Sequence, residues 1–186
     1  MRFYIGLIHY PVYNKNYQKI ASAITNFDLH DLSRLARTYG AKRFFVVTPL
    51  DDQRKLAERI LLHWTNGYGA RYNRYRKEAI EVIKVLASLD DAVKEIRDLE
   101  GEDPLLIATD ASRQPERAIT YSDTTELIIS GKVVFILFGT AWGLHEDVIS
   151  RVNFILDPID GQDDYNHLSV RTAAGIILDR LTGRFN

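Results

Sequence analysis

The sequence predicts an α/β domain, a mostly parallel sheet with helices on both faces. Two observations carry this expectation. Short apolar, β-rich runs alternate with helix-like segments along the whole chain, and such alternation implies right-handed crossovers between parallel strands. No internal repeat, low-complexity stretch or linker interrupts it, so residues 1–186 read as one unbroken domain. A chain of 186 residues, 46% hydrophobic and 26% charged, is long enough for one sizeable core.

The elements follow in order. Residues 3–8 form the first strand candidate and 20–24 a weaker second. Residues 29–39 have helical character, with Gly40 placed to close the helix. Residues 43–48 centre on FFVV, a buried strand stopped by Pro49. Residues 51–64 are helical, with Asp51 and Asp52 in the first turn, where the helix dipole favours acidic groups. Residues 80–86 fit strand or helix equally. An amphipathic helix over 89–99 ends at Gly101, and a strand over 105–108 follows Pro104. A short helix over 125–129 precedes 132–138 (KVVFILF), the strongest strand in the chain. A helix begins within 143–150, a strand covers 153–156, and a closing helix covers 168–181.

Composition excludes several function classes. Cysteine is absent, so disulfides, thiolate metal sites and cysteine nucleophiles are ruled out. No apolar run is long enough to span a bilayer, and MRFYIGLIHYP reads as a first strand with no small-residue cleavage pattern. A cytoplasmic location is the expectation. The formal net charge is −1, yet positive charge gathers over residues 67–77, GYGARYNRYRK. There Arg71, Arg74, Arg76 and Lys77 interleave with Tyr68, Tyr72 and Tyr75. Arginine offers forked donors to phosphate, and tyrosine can stack on unpaired bases. The same stretch also suits a solvated loop whose tyrosines pack locally.

Three loops leave strand ends, where parallel sheets bind ligands. They begin at Thr109-Asp110, at Gly139-Thr140-Ala141-Trp142-Gly143-Leu144, and at Pro158-Ile159-Asp160-Gly161. The second carries no phosphate-cradling pattern: no Gly-Lys-Ser/Thr follows, and the third glycine of a dinucleotide fingerprint is missing. A side chain at Gly139 is expected to block the slot without unfolding the chain. In the third loop Asp157, Asp160, Asp163 and Asp164 crowd together; a cation site and solvated turn chemistry both fit, and we assign no metal. Ser169 lies in no Gly-x-Ser-x-Gly elbow.

The stretches FGTAWGL and PIDGQDDYNHLSVRTAAGIILDRL, with NFDLHDLSRLARTYG, closely resemble SPOUT methyltransferases. The likeness is to the small family of S-adenosylmethionine-dependent RNA methyltransferases sometimes fused to tRNA guanine-N1 methyltransferase. It covers most of the chain. The resemblance implies a C-terminal trefoil knot, RNA (tRNA or rRNA) as substrate, and S-adenosylmethionine bound in bent form on the three loops. Thr109, Gly139, Ile159 and Leu168 would touch the cofactor most directly. Phe138, Thr140, Gly143, Leu144, Pro158, Ser169, Val170 and Ala173 would line its pocket. Residues 28–40 resemble the first motif of ribose 2′-O-methylating members: Arg34, Tyr39 and Gly40 match, while Asp28 stands where Asn is usual and His30 where Gly is usual. This makes Arg34 the candidate catalytic residue. It cannot act as a base, since guanidinium stays protonated, so it would orient phosphate or the acceptor oxygen. The alternative is a surface arginine paired with Asp31 or Asp28. Asp160, Asp163, Asp164 and His30 are candidate proton acceptors. Apolar residues spread around the closing helix, which points to burial on two sides and hence a homodimer. A non-catalytic RNA- or nucleotide-binding module on the same fold is the rival reading. A flavodoxin-like enzyme using another nucleotide is more distant.

Overall fold

The computed structural model describes residues 1–163 and 165–183. Asp164, named above as a candidate proton acceptor, lies outside the described residues. Seven strands form one sheet in which every pairing is parallel: β1 (Phe3–Ile8), β4 (Phe44–Val47), β5 (Ile83–Leu86), β6 (Leu105–Thr109), β7 (Ala118–Ile119), β8 (Val134–Gly139) and β9 (Phe154–Leu156). Their order is β5-β4-β1-β8-β6-β9-β7. Two late strands are therefore insertions. β8 lies between β1 and β6, and β9 lies between β6 and β7.

The expected strand over 20–24 is a two-residue piece outside this sheet. β3 (Lys19–Ile20) pairs only with β2 (Val12–Tyr13), as a small antiparallel hairpin. β7 is equally short and carries no readable alternation. Residues 80–86 divide: Ile80 ends a helix and 83–86 make β5.

Strand alternation sends side chains to opposite faces. Phe3, Ile5 and Leu7 pack with α1 (Asn26–Tyr39) and α8 (Val170–Thr182). Tyr4 and Ile8 join the other layer, under α5 (Leu89–Glu100) and α7 (Glu146–Ile149). Helices thus cover both faces, as expected, and each fully buried apolar side chain contributes about 1.5–3 kcal/mol. α1 begins where Thr25 accepts a hydrogen bond from the Asp28 amide, and ends at Gly40 with φ 78°. That left-handed conformation suits glycine. α6 (Tyr121–Ile129) packs beside α8. The stretch 67–77 is no loop. After α2 (Asp51–Thr65) it forms α3 (Tyr68–Tyr72) and α4 (Arg74–Ile80), the latter packed on α1. Among the described residues no helix is long and apolar enough to cross a membrane.

Candidate functional site

Parallel pairing brings the carboxyl ends of β1, β8, β6 and β9 to one edge of the sheet. Gly139 sits opposite Ile8, and Thr109 opposite Leu156. The three loops singled out from the sequence leave this edge side by side; the first and third are bonded to each other, and the end of β6 is pinned to β8. Thr109 Oγ1 donates to the Leu137 carbonyl at 3.0 Å. Asn166 Nδ2 donates to the Ala111 carbonyl at 2.8 Å. Arg113 reaches Asp157 at 3.0 Å and Asp160 at 3.4 Å. Two carboxylates of the acidic cluster are therefore engaged by an arginine rather than left to converge on a cation. Asp163 accepts from the Tyr165 amide at 3.0 Å, ordinary turn chemistry.

The loop after β8 is tight. A Cβ on Gly139 would stand 2.9 Å from the Leu144 amide nitrogen and 3.1 Å from the Gly143 carbonyl carbon. Gly143 itself has φ 101° with open space around it. The loop is braced from outside as well, because Trp142 N–H donates to the Tyr13 carbonyl and Tyr13 N–H to the Gly143 carbonyl, both at 3.0 Å. Trp142 remains 61% exposed. Phe138 and Leu144 are committed to the two core layers, so a ligand here would meet their backbone. Pro158 is buried, and Ile159, Val170 and Ala173 are half-buried. Leu168 and Ser169 are exposed, Ser169 as the cap of α8, accepting from the Thr172 amide. A glycine-bearing turn with bare backbone, beside a half-buried isoleucine and an exposed leucine, fits the flat, apolar, amide-seeking adenine of S-adenosylmethionine.

The sequence reading missed His9, which follows β1 directly. Its Nδ1 lies 2.9 Å from Ser22 Oγ, which lies 2.5 Å from Thr140 Oγ1, which donates to the Ile8 carbonyl at 3.0 Å. Each hydroxyl has one proton. Thr140 spends its proton on Ile8, so Ser22 donates to Thr140, and His9 Nδ1–H must donate to Ser22. Nε2 is left with a lone pair, buried and without a partner among the described residues. Burial lowers the imidazole pKa to about 4, against the pull of nearby Asp28. His9 is therefore neutral at neutral pH. Its position at a strand's carboxyl end was the signal that could have found it.

Arg171, also missed, joins α8 to α1. Its Nη1 donates to Asp28 at 2.7 Å, and its Nε lies 3.4 Å from Asp31. Thr25 Oγ1 also donates to Asp28, at 2.6 Å. The pairing of Arg34 with Asp28 or Asp31, weighed as an alternative, is thus replaced by Arg171. Arg34 is exposed and makes no ion pair among the described residues. One helical turn before it, His30 packs edge-on to Trp64 with ring centroids 5.3 Å apart, its Nδ1 buried and unpartnered. Burial first, and then the charge of Arg76, lower the His30 pKa. Arg76 and His30 both lie against the Trp64 ring, and α4 packs on α1, so the structure brings the basic segment to the helix that carries Arg34. Within that segment Arg74 pairs with Glu78 at 3.0 Å and Lys77 with Glu81 at 3.7 Å. The Arg76 guanidinium lies 4.6 Å from the Trp64 ring centroid.

A cleft of about 520 Å³ opens at the opposite, amino-terminal end of the strands, lined by Tyr4, Arg37, Lys42, Arg43 and Glu100 among others. Its central carboxylate is already satisfied. Burial pushes Glu100 up, but hydrogen bonds from Lys42, Tyr4 and Arg2 outweigh it and bring the carboxyl down to about 2.

The chain is 41% identical over 180 residues to a tRNA (guanine-N(1)-)-methyltransferase of Oleidesulfovibrio alaskensis, covering 97% of this chain but 42% of that protein. It therefore spans less than half the length of that relative. It is 37% identical over 182 residues to an uncharacterised protein of Aquifex aeolicus, covering 97% of this chain and 88% of that one. The fold is shared with the SpoU methyltransferase AviRb of Streptomyces viridochromogenes, at TM-score 0.61 and 15% identity over 97% of this chain and 58% of that chain. The family model described as SAM-dependent RNA methyltransferase matches residues 2–183. With a parallel sheet flanked by helices and three loops gathered at the ligand-binding edge, this chain belongs to the SAM-dependent RNA methyltransferase family.

Proposed function

We propose that this chain transfers the methyl group of S-adenosylmethionine to RNA in the cytoplasm, working as a homodimer. The observation that carries the reading is that the loops after β6, β8 and β9 leave the sheet at one edge, the first and last of them bonded to each other. The cofactor would rest on the backbone around Thr109, Gly139, Thr140, Gly143 and Ile159, with Pro158, Leu168, Ser169, Val170 and Ala173 closing the far side. The inserted positions of β8 and β9 support a trefoil knot. When bound, S-adenosylmethionine supplies an activated methyl group, and the protein supplies orientation.

Arg34 would orient the phosphate or acceptor oxygen. His30, neutral and one turn away, is the better placed of the candidate bases. Asp160 is spent on Arg113. Arg71, Arg74, Arg76 and Lys77 would hold RNA. The acceptor we favour is a ribose 2′-hydroxyl, because Arg34 falls in the motif resembling ribose-methylating enzymes. A guanine base is the second reading, favoured by the name of the 41%-identical relative. That relative has more than half its length outside the match, so its named activity need not reside in the matched part.

The test is labelled methyl transfer to total RNA from a strain lacking the gene, followed by alkaline hydrolysis. Ribose methylation leaves alkali-resistant dinucleotides, and base methylation does not. Arg34→Ala should cut the rate at least tenfold with little change in RNA affinity, because an orienting group acts mainly in the transition state. Binding of S-adenosylmethionine without any transfer would favour a non-catalytic module. Full activity in the Arg34 variant would remove that residue from the reaction.

A further inference from the structure

We propose that the tyrosine ladder on α3 and α4 is where unpaired bases of the RNA stack, so that the substrate is single-stranded or looped RNA rather than continuous duplex. This rests on the RNA-methyltransferase reading and names its substrate class. Tyr68 and Tyr72 are each 74% exposed and Tyr75 is 83% exposed. Tyr68 and Tyr72, one helical turn apart, hold their rings 6.1 Å apart at an interplanar angle of 23°. Flat rings left in water, set close together and nearly parallel, form a platform that bases can extend.

The neighbouring charges point the same way. Arg74 and Lys77 are paired with Glu78 and Glu81, and Arg76 lies over Trp64. Of the four cations, Arg71 is the one with no such engagement among the described residues. Duplex RNA offers mainly phosphates and 2′-hydroxyls, with its base faces hidden in the stack. It would find few free cations here. Single-stranded RNA offers the faces that tyrosines accept, with Arg71 beside them for a phosphate. Tyr75 lies on α4, which packs on α1, the helix that carries Arg34, and Arg76 and His30 share the Trp64 ring, so the ladder adjoins the element of the proposed reacting end.

The experiment is fluorescence anisotropy across a salt series, with a short oligoadenylate and a blunt RNA duplex of matched length. Tyr68→Ala/Tyr72→Ala/Tyr75→Ala should weaken oligoadenylate binding by about fivefold to a hundredfold for each stacked base. The salt slope should not change, since no cation is removed. The corresponding triple Phe variant should bind like the parent, and duplex affinity should barely move in either. The proposal is overturned if the Ala variant binds oligoadenylate like the parent, or if the Phe variant is as weak as the Ala variant. It is also overturned if sedimentation shows that the Ala variant loses self-association while keeping RNA affinity, which would make the ladder a contact between copies. Labelled transfer to total RNA runs alongside. A parent that transfers label, with an Ala variant of equal KM for RNA, sinks the ladder alone. A parent that transfers none sinks the activity, while the oligoadenylate comparison still judges the ladder.

Discussion

Placing a valine at residue 139 tests the site more sharply than the sequence alone suggested. The expectation was that a side chain there would fill the cofactor slot and leave the fold untouched. In the structure the first Cβ atom meets the loop itself, at 2.9 Å from the Leu144 amide nitrogen and 3.1 Å from Leu144 Cγ. The nearest of these is backbone, which cannot swing aside as a flexible side chain would. The loop is held on two sides, by Thr140 on the Ile8 carbonyl and by the paired bonds to Tyr13. Overpacking of this kind costs about 1–3 kcal/mol, which in a domain of this size lowers Tm by roughly 2–12 °C. Moving the Gly139–Leu144 backbone also displaces the groups proposed to meet adenine, and losing one good hydrogen bond weakens binding about tenfold. Gly139→Val should therefore lower Tm and S-adenosylmethionine affinity together. Gly143→Ala places its Cβ in open space at φ 101°, so its cost is backbone strain of about 1–3 kcal/mol. Calorimetric titration beside a thermal melt checks both. A Gly139→Val protein with parental Tm and parental affinity would refute the reasoning about the loop and the placement of the pocket.

Other outcomes follow from the same contacts. Buried, neutral His9 has a depressed pKa, so its contribution is full above its usual 6.5 and is lost as pH falls toward about 4; this is worth ~3 kcal/mol. His9→Gln should flatten the loss of stability across that window in denaturant titrations, and an unchanged slope would count against the assignment. The contribution of the depressed Glu100 is full above its usual 4.5 and is lost as pH falls toward about 2, so Glu100→Gln should leave the pH dependence above 4.5 intact. Ile177→Asp, a natural choice for probing a dimer face on α8, places a charge in the monomer core, where Ile177 is 4% exposed. It should unfold the chain, as burying an unpaired charge costs several kcal/mol. Ile176, half-buried on the same helix, is the better probe. Light scattering should find a dimer for the parent and a folded monomer for Ile176→Asp, and a parent that is monomeric at micromolar concentration would end the dimer proposal.

Much of the architecture was legible in residue order. The runs that became β1, β4 and β8 are unbroken apolar stretches, because a strand covered on both faces needs apolar side chains on both. The helices over 26–39 and 89–100 carry their own start and stop signals in Thr25, Gly40, Ser88 and Gly101. The chemistry of the three loops was readable too, since strand ends in a parallel sheet all reach one edge. What residue order could not determine was which distant groups meet. The insertion of β8 between β1 and β6 sets Thr140 beside Ser22 and His9, residues more than a hundred positions apart. Likewise Arg171 takes the carboxylates that Arg34 was free to claim on its own helix. Local spacing placed Arg34 within reach of Asp31, but the approach of α8 put a second guanidinium against the nearly buried Asp28. A desolvated carboxylate needs a close, well-oriented cation far more than an exposed one does. That choice depends on packing across 143 residues of sequence, which no local pattern encodes.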